Sequence, residues 1–198
     1  MTPLAWLAVA AAVGGWLVLR KKESPSAPQL KSRALLVGDS LAVGLGPPLG
    51  KALLPAALDS EAHSGSTAKD WLGKFRPALD ELLATVKPEV VFVSLGTNDT
   101  APGASVAGLE QRFTELASVV RKAGAAPLFL LPPELPWSRQ PVADAVKAAG
   151  AVLITPRAGL EHGPDKVHLT GKGYADWAAN VAQQLRGGVI GDLPSFLP

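Results

Sequence analysis

An α/β fold with a parallel sheet and helices on both of its faces is predicted by two features of the sequence. Short, uninterrupted runs of branched and apolar residues at 34–37 and 90–95 read as buried strands. Strand-like and helix-like stretches then alternate along the chain, which implies right-handed crossovers between parallel strands. A third feature stands outside this pattern: an apolar segment at the amino terminus predicts a single membrane helix ahead of the domain.

From Thr2 to Leu19 no side chain is charged, and at about 1.5 Å per residue the stretch spans roughly 27 Å, close to the hydrocarbon thickness of a bilayer. Thr2 and Pro3 suit a helix start, Trp6 and Trp16 lie toward the two ends, and Arg20-Lys21-Lys22 stops the run. The expected organisation is a membrane anchor or signal over 1–22, a linker over 23–32, a catalytic domain over 33–186 and a tail over 187–198. A cleaved secretory signal would make the domain secreted or periplasmic. Against that alternative, the positive charges follow the apolar run and no Ala-x-Ala site ends it. A buried soluble helix is disfavoured because no polar face exists. The basic cluster favours a cytoplasmic domain.

The linker, rich in Ser, Pro and Lys, has no apolar period. After it the sequence predicts a strand at 34–37, a helix within 41–54, a short strand before Ser64, helices within 68–85 and a strand at 90–95. An amphipathic helix at 105–122, a strand at 128–131, a helix at 142–149, a strand at 151–154 and a closing helix at 171–185 complete the pattern.

With 198 residues the chain accommodates one ordinary domain and a short appendage. Its formal charge of +2 is small and its basic residues are scattered, so nucleic acid is not an expected partner. The absence of cysteine excludes disulfides, a thiol nucleophile and thiolate metal sites.

Three motifs carry chemistry: Gly38-Asp39-Ser40, Gly96-Thr97-Asn98-Asp99 and Asp165-Lys166-Val167-His168. The first two directly follow predicted strands, placing them at the sheet edge where open α/β folds bind ligands. Together they supply the parts of an acyl-transfer site. A serine hydroxyl needs a base, and His168 is preferred because Asp165, three residues earlier, can reach its Nδ1–H and leave Nε2 facing the serine. His63 and His162 have no such neighbour and read as surface or structural residues, His63 bordering the site. Ser40 lies where strand gives way to helix, so negative charge developing there meets the positive end of the helix dipole. Asn98 through its amide, and Gly65 through a backbone that nothing bulky screens, are candidate oxyanion donors beside the Ser40 N–H. Asp39 and Asp99 read as loop-structuring residues bonding nearby backbone amides. No histidine and carboxylate cluster has metal-ligand spacing beyond the single Asp165 and His168 pair, so a metal site is not indicated. Trp137, in the proline-rich loop 131–137, is expected to pack on that loop.

These four blocks in order, Gly38-Asp39-Ser40-Leu41, Ser64-Gly65-Ser66-Thr67, Gly96-Thr97-Asn98-Asp99 and Asp165 with His168, resemble the SGNH hydrolases, also known as the GDSL esterase and lipase family. The resemblance spans roughly 33–186. It implies a three-layer α/β/α sandwich around a five-stranded parallel sheet, similar to flavodoxin-like architecture. It also implies hydrolysis of acyl esters or thioesters without metal or organic cofactor, Ser40 serving as nucleophile, Asp165 and His168 as acid and base, and Gly65 and Asn98 in the oxyanion hole. The expected partner is an ester substrate, either an acylated sugar or a lipid or thioester acyl chain. A membrane-anchored binding protein keeping an inactive esterase fold is the rival from another class.

Overall fold

Along β1 (Arg33–Gly38), Leu35 and Val37 point to one face and Leu36 to the other, and all three are fully buried, so both faces must be covered by helices. The computed structural model, which describes residues 33–187, shows that arrangement. After β1 come α1 (Ser40–Ala52), β2 (Ala57–Ala62), α2 (Ala68–Leu72), α3 (Arg76–Val86), β3 (Val90–Ser94), α4 (Leu109–Lys122), β4 (Ala126–Leu130), α5 (Gln140–Ala148), β5 (Val152–Ile154) and α6 (Gly171–Arg186). The five strands form one parallel sheet in the order β2-β1-β3-β4-β5. Ala34 pairs with Leu58 on one side and Val90 on the other, and Phe92 with Leu128.

Helices α1 and α6 cover one face, where Leu41, Leu45, Leu49, Trp177 and Val181 pack on Leu36, Phe92 and Leu128. Helices α2 to α5 cover the other, bringing Trp71, Leu79, Phe113 and Val142 onto Leu35, Val37, Val93 and Phe129. Phe113 and Phe129 stack with centroids 4.9 Å apart. Each such aliphatic side chain contributes roughly 1.5–3 kcal/mol through burial. The result is the expected α/β/α sandwich. Because β1 sends the chain outward to β2 while β3 lies on its other side, the strand order reverses between β1 and β3, opening a crevice at their carboxyl ends.

The helices expected within 68–85 are α2 and α3, with Gly73 ending the first and a proline in the first turn of the second. One predicted helix is shortened by the tertiary structure. The helix expected from 105 starts at Leu109, because the preceding residues form turns closed by bonds from Ala104 N to Ala101 O (2.8 Å) and Leu109 N to Val106 O (3.0 Å). The apolar segment 2–19 read as a membrane helix, the linker 23–32 and residues 188–198 of the tail lie outside the described residues. Among the described residues no helix is long and apolar enough to cross a membrane.

Candidate active site

The crevice at the β1/β3 switch begins with a close backbone approach. A Cβ on Gly38 would overlap the Ser94 carbonyl oxygen and lie 2.7 Å from Ala42 Cβ, so only glycine lets β1 turn here beside β3. The turn is secured by Asp39 N donating to Ser94 O (3.0 Å). Asp39 then caps α1, its Oδ1 accepting from Leu41 N at 2.9 Å. Ser40 is thereby the first helical residue, its N–H one of the first-turn donors that no helical carbonyl reaches.

His168 arrives from the loop before α6. Gly163 N donates to His168 O (2.7 Å), Lys166 N to Gly163 O (3.1 Å) and Thr170 N to Glu161 O (2.9 Å), while the Thr170 hydroxyl caps α6 by accepting from Gly173 N (3.1 Å). Within this turn Asp165 Oδ1 accepts from Val167 N (3.0 Å) and His168 N (2.9 Å). Its Oδ2 lies 2.6 Å from His168 Nδ1, and His168 Nε2 lies 2.8 Å from Ser40 Oγ. An ionised carboxylate can only accept, so Nδ1 carries the proton and Nε2 accepts from the Ser40 hydroxyl. The hydrogen bond from His168, then those from the Val167 and His168 amides, pull the Asp165 carboxyl down to about 2. Residues 128 positions apart thus form one continuous chain of hydrogen bonds.

Three loops at the strand ends are tied together on the other side of Ser40. Gly65 takes φ +78, a left-handed conformation that glycine adopts without strain, and lies exposed with nothing near its Cβ position. Its neighbour Ser66 donates from Oγ to Gly38 O (3.2 Å), accepts from Trp71 Nε1 at 3.2 Å, and through its carbonyl accepts from Asn98 Nδ2 at 2.9 Å. That bond uses one of the two Asn98 amide hydrogens and leaves the other for a ligand. Asp99, buried, accepts from Ala68 N at 3.1 and 3.3 Å, fixing the start of α2 to the end of β3. Arg112 Nε stands 4.0 Å away. Burial raises the Asp99 carboxyl above its ordinary value, against the hydrogen bond from Ala68 and the charge of Arg112.

Asp39 is fully buried and more strongly perturbed. Burial drives its carboxyl up to about 7, opposed by the Leu41 amide and the nearby Thr97 hydroxyl and reinforced by Asp99. Asp39 Oδ2 and Thr97 Oγ1 are both buried and both lack a hydrogen-bond partner among the described residues.

The structure therefore places Ser40, His168 and Asp165 in direct contact, and brings Gly65 and Asn98 to the same edge through Ser66. Asp39 bonds a nearby amide as the sequence suggests, whereas Asp99 reaches one 31 residues away. His63 stacks on Phe75 (centroids 3.8 Å, 5° between planes), with Nε2 3.0 Å from Glu61 Oε1 but out of hydrogen-bond alignment. His162 Nδ1 lies 2.9 Å from Leu160 O. Trp137 does not simply rest on its own loop: its Nε1 donates to Thr100 Oγ1 (3.2 Å), linking the proline-rich loop to the Asn98 loop. Ser66 and Trp71, the residues that organise the donor side, went unnoticed in the sequence as working parts. Only the Ser64-Gly65-Ser66-Thr67 block hinted at them.

Comparison with known proteins adds to this geometry. Residues 36–191 match the family described as GDSL-like Lipase/Acylhydrolase. Among curated relatives, an arylesterase of Vibrio mimicus is 31% identical over 108 residues, covering 50% of this chain and 54% of the relative. The esterase TesA of Pseudomonas aeruginosa is 35% identical over 114 residues, covering 50% and 55%. The alignments thus span about half the length of the curated relatives. In structure, the psychrotrophic esterase EstA from Pseudoalteromonas sp. superposes with a TM-score of 0.63 at 18% identity, covering 80% of this chain and 99% of that one, a likeness of fold. The match over most of the domain, on a sandwich that assembles all four sequence blocks at one sheet edge, establishes that the chain belongs to the GDSL-like lipase/acylhydrolase family, the SGNH hydrolases.

Proposed function

We propose that this chain is a serine esterase, and the observation that carries the proposal is the continuous Asp165–His168–Ser40 hydrogen-bond chain of 2.6 and 2.8 Å. Ser40 Oγ attacks the ester carbonyl while His168 Nε2 takes its proton, and Asp165 stabilises the resulting imidazolium. The tetrahedral oxyanion accepts from the Ser40 and Gly65 N–H groups and the free Asn98 amide hydrogen. His168 then protonates the departing alkoxide, giving the alcohol and an acyl-Ser40 ester. Water attacks that ester as its proton passes to His168, and collapse of the second tetrahedral species returns the proton to Ser40 and releases the acid. Nothing in this sequence of steps calls for a metal or cofactor.

The favoured substrate is a short-chain or acetyl ester of a polar alcohol such as a sugar. In its support, a depression of about 480 Å³ beside the Asp165–His168 turn is lined by Glu134, Leu135, Pro136, His162 and Lys166, a mixture of charged and apolar groups suited to a hydroxylated leaving group. A lipid or thioester acyl chain is the alternative, and an inactive binding protein the remaining one. The localisation proposed from the sequence is attachment to a membrane through 2–19, or secretion if that segment is removed.

The test is hydrolysis of p-nitrophenyl esters from acetyl to long chain by the full-length chain beside Ser40→Ala. Turnover confined to the parent and strongest on acetyl supports the proposal. Activity rising through long chains moves the substrate to lipids. A folded parent that neither turns over any ester nor labels at Ser40 with an organophosphonate overturns the esterase reading.

A further inference from the structure

In a parallel sheet crossed by helices every helix runs against the strands, so helix carboxyl termini gather at the sheet edge opposite the active site. Here that edge is basic. Lys51 ends α1, Lys87 follows α3, Arg121 and Lys122 end α4, Lys147 ends α5 and Arg186 ends α6, and all six side chains are exposed. Cross-contacts confirm that they share one edge: Arg186 donates to Ala52 O (2.8 Å), and Arg121 donates to Ala149 O (3.1 Å) and Gly150 O (2.7 Å). The acids near this edge include Glu89, between α3 and β3, Asp59, 3.6 Å from Arg33, Asp80, which lines one depression with Lys87 and Lys122, and Asp144, one turn before Lys147; the lysines and arginines outnumber them. Attraction to each helix's own negative end explains part of this distribution, but not the next two observations.

Leu54, in the loop joining α1 to β2, is 65% exposed, more than any other large apolar side chain among the described residues, and it lies three residues after Lys51. An apolar tip flanked by Lys51 and by Arg186, which reaches Ala52 O, on an edge that carries further lysines, is the pattern of a surface that dips into the headgroup region of an anionic bilayer. The chain also enters the domain at this edge, since Arg33 pairs with Ala57, the first residue of β2, and Glu89 N donates to Arg33 O at 2.9 Å. Upstream, Arg20, Lys21, Lys22 and Lys31 add four more positive charges, and segment 20–32 reaches at most about 45 Å from the apolar run to Arg33.

We propose that the edge formed by Lys51, Leu54, Lys87, Lys122, Lys147 and Arg186 docks on an anionic lipid surface. The catalytic edge, a strand length or about 20 Å away, then faces outward from that bilayer. It meets esters presented by soluble or polymeric molecules in preference to the lipids underneath. The orientation rests on the basic edge and Leu54 and holds whether or not the esterase reading does.

The absence of cysteine makes the test direct. In the full-length chain, Leu54→Cys carries an environment-sensitive fluorophore, and Val106→Cys, 47% exposed in the loop after β3 at the catalytic edge, carries it as the opposite reporter. The proteins are added to vesicles of phosphatidylcholine alone or with about a third phosphatidylserine. The expected result is a blue-shifted emission at position 54 with phosphatidylserine, reversed by salt, and an unchanged emission at 106. Adding Lys51→Glu or Lys87→Glu to the Leu54→Cys protein weakens docking roughly fivefold or more each, the loss of one contact near the surface. A shift at 106 in place of 54, a shift at 54 indifferent to lipid charge, or no shift at either position with protein bound to the vesicles overturns the proposal. Ester hydrolysis measured on the same samples reads the esterase proposal separately.

Discussion

Replacing Asp39 by Asn should make the protein more stable above neutral pH, by an amount that the structure sets. The Asp39 side chain is fully buried, one oxygen accepts from Leu41 N, and the other has no hydrogen-bond partner among the described residues. Its carboxyl is raised from 3.8 to about 7 in the fold, chiefly by burial. A raised folded value means that the native state holds its proton more tightly than the unfolded chain. The stabilising effect of that proton is complete below 3.8 and is lost as pH rises through about 7. At about 1.4 kcal/mol per pH unit, the full loss is on the order of 4 kcal/mol, or roughly 10 °C of Tm for a domain of this size. Asparagine keeps the acceptor for Leu41 N, turns the partnerless oxygen into a donor facing Thr97 and never ionises. Asp165, Asp70 and Asp176, all lowered by hydrogen bonds, are common to both proteins and cancel in the difference, whereas the repulsion from Asp99 is already part of the Asp39 shift. The measurement is thermal unfolding of full-length parent and Asp39→Asn in mild detergent at half-unit steps from pH 4 to 9. Asp39→Asn should gain on its parent progressively from about pH 4 and level off above pH 8. A difference that is flat across this range, or that shrinks as pH rises, would refute the assignment of a buried, partnerless carboxyl.

Gly38→Ala drives a methyl group into the Ser94 carbonyl oxygen and should cost about 1–3 kcal/mol or more, read as a fall in Tm together with loss of turnover. Asp165→Asn preserves the shape of the turn but removes the charge that orients and stabilises His168; kcat at pH 7 should fall by about 10³–10⁴ while Tm stays within a few degrees. Asn98→Ala removes one oxyanion donor and the bond to Ser66 O, so kcat should drop roughly 10²–10³-fold with KM little changed, and an equal effect on KM would argue for a ground-state role.

Much of this protein is readable without coordinates because the signals are local. Val90 to Val93 are branched and apolar, which marks a strand buried on both faces. Asp165 and His168 are three residues apart, and such a pair can be matched from spacing alone. Gly38-Asp39-Ser40 combines a close approach, a helix cap and a nucleophile in consecutive residues, so its place at a strand end follows from the apolar run before it. The boundaries of α2 and α4 were less legible, because turn hydrogen bonds compete there with helical ones and the outcome depends on what the backbone packs against.

By itself, then, the sequence determined the α/β class, the order of the elements and the identity of the groups that carry the chemistry, since periodicity, capping and motif spacing act over a few residues. Only the tertiary structure decided how those groups meet. Ser66 joins Gly38 to Asn98, and Asp99 caps α2, through contacts between residues about thirty positions apart. The burial that raises Asp39 comes from neighbours that no local pattern names. The gathering of scattered lysines and arginines onto one edge also follows only when every helix is made to run against the sheet, because that direction brings all their carboxyl ends together.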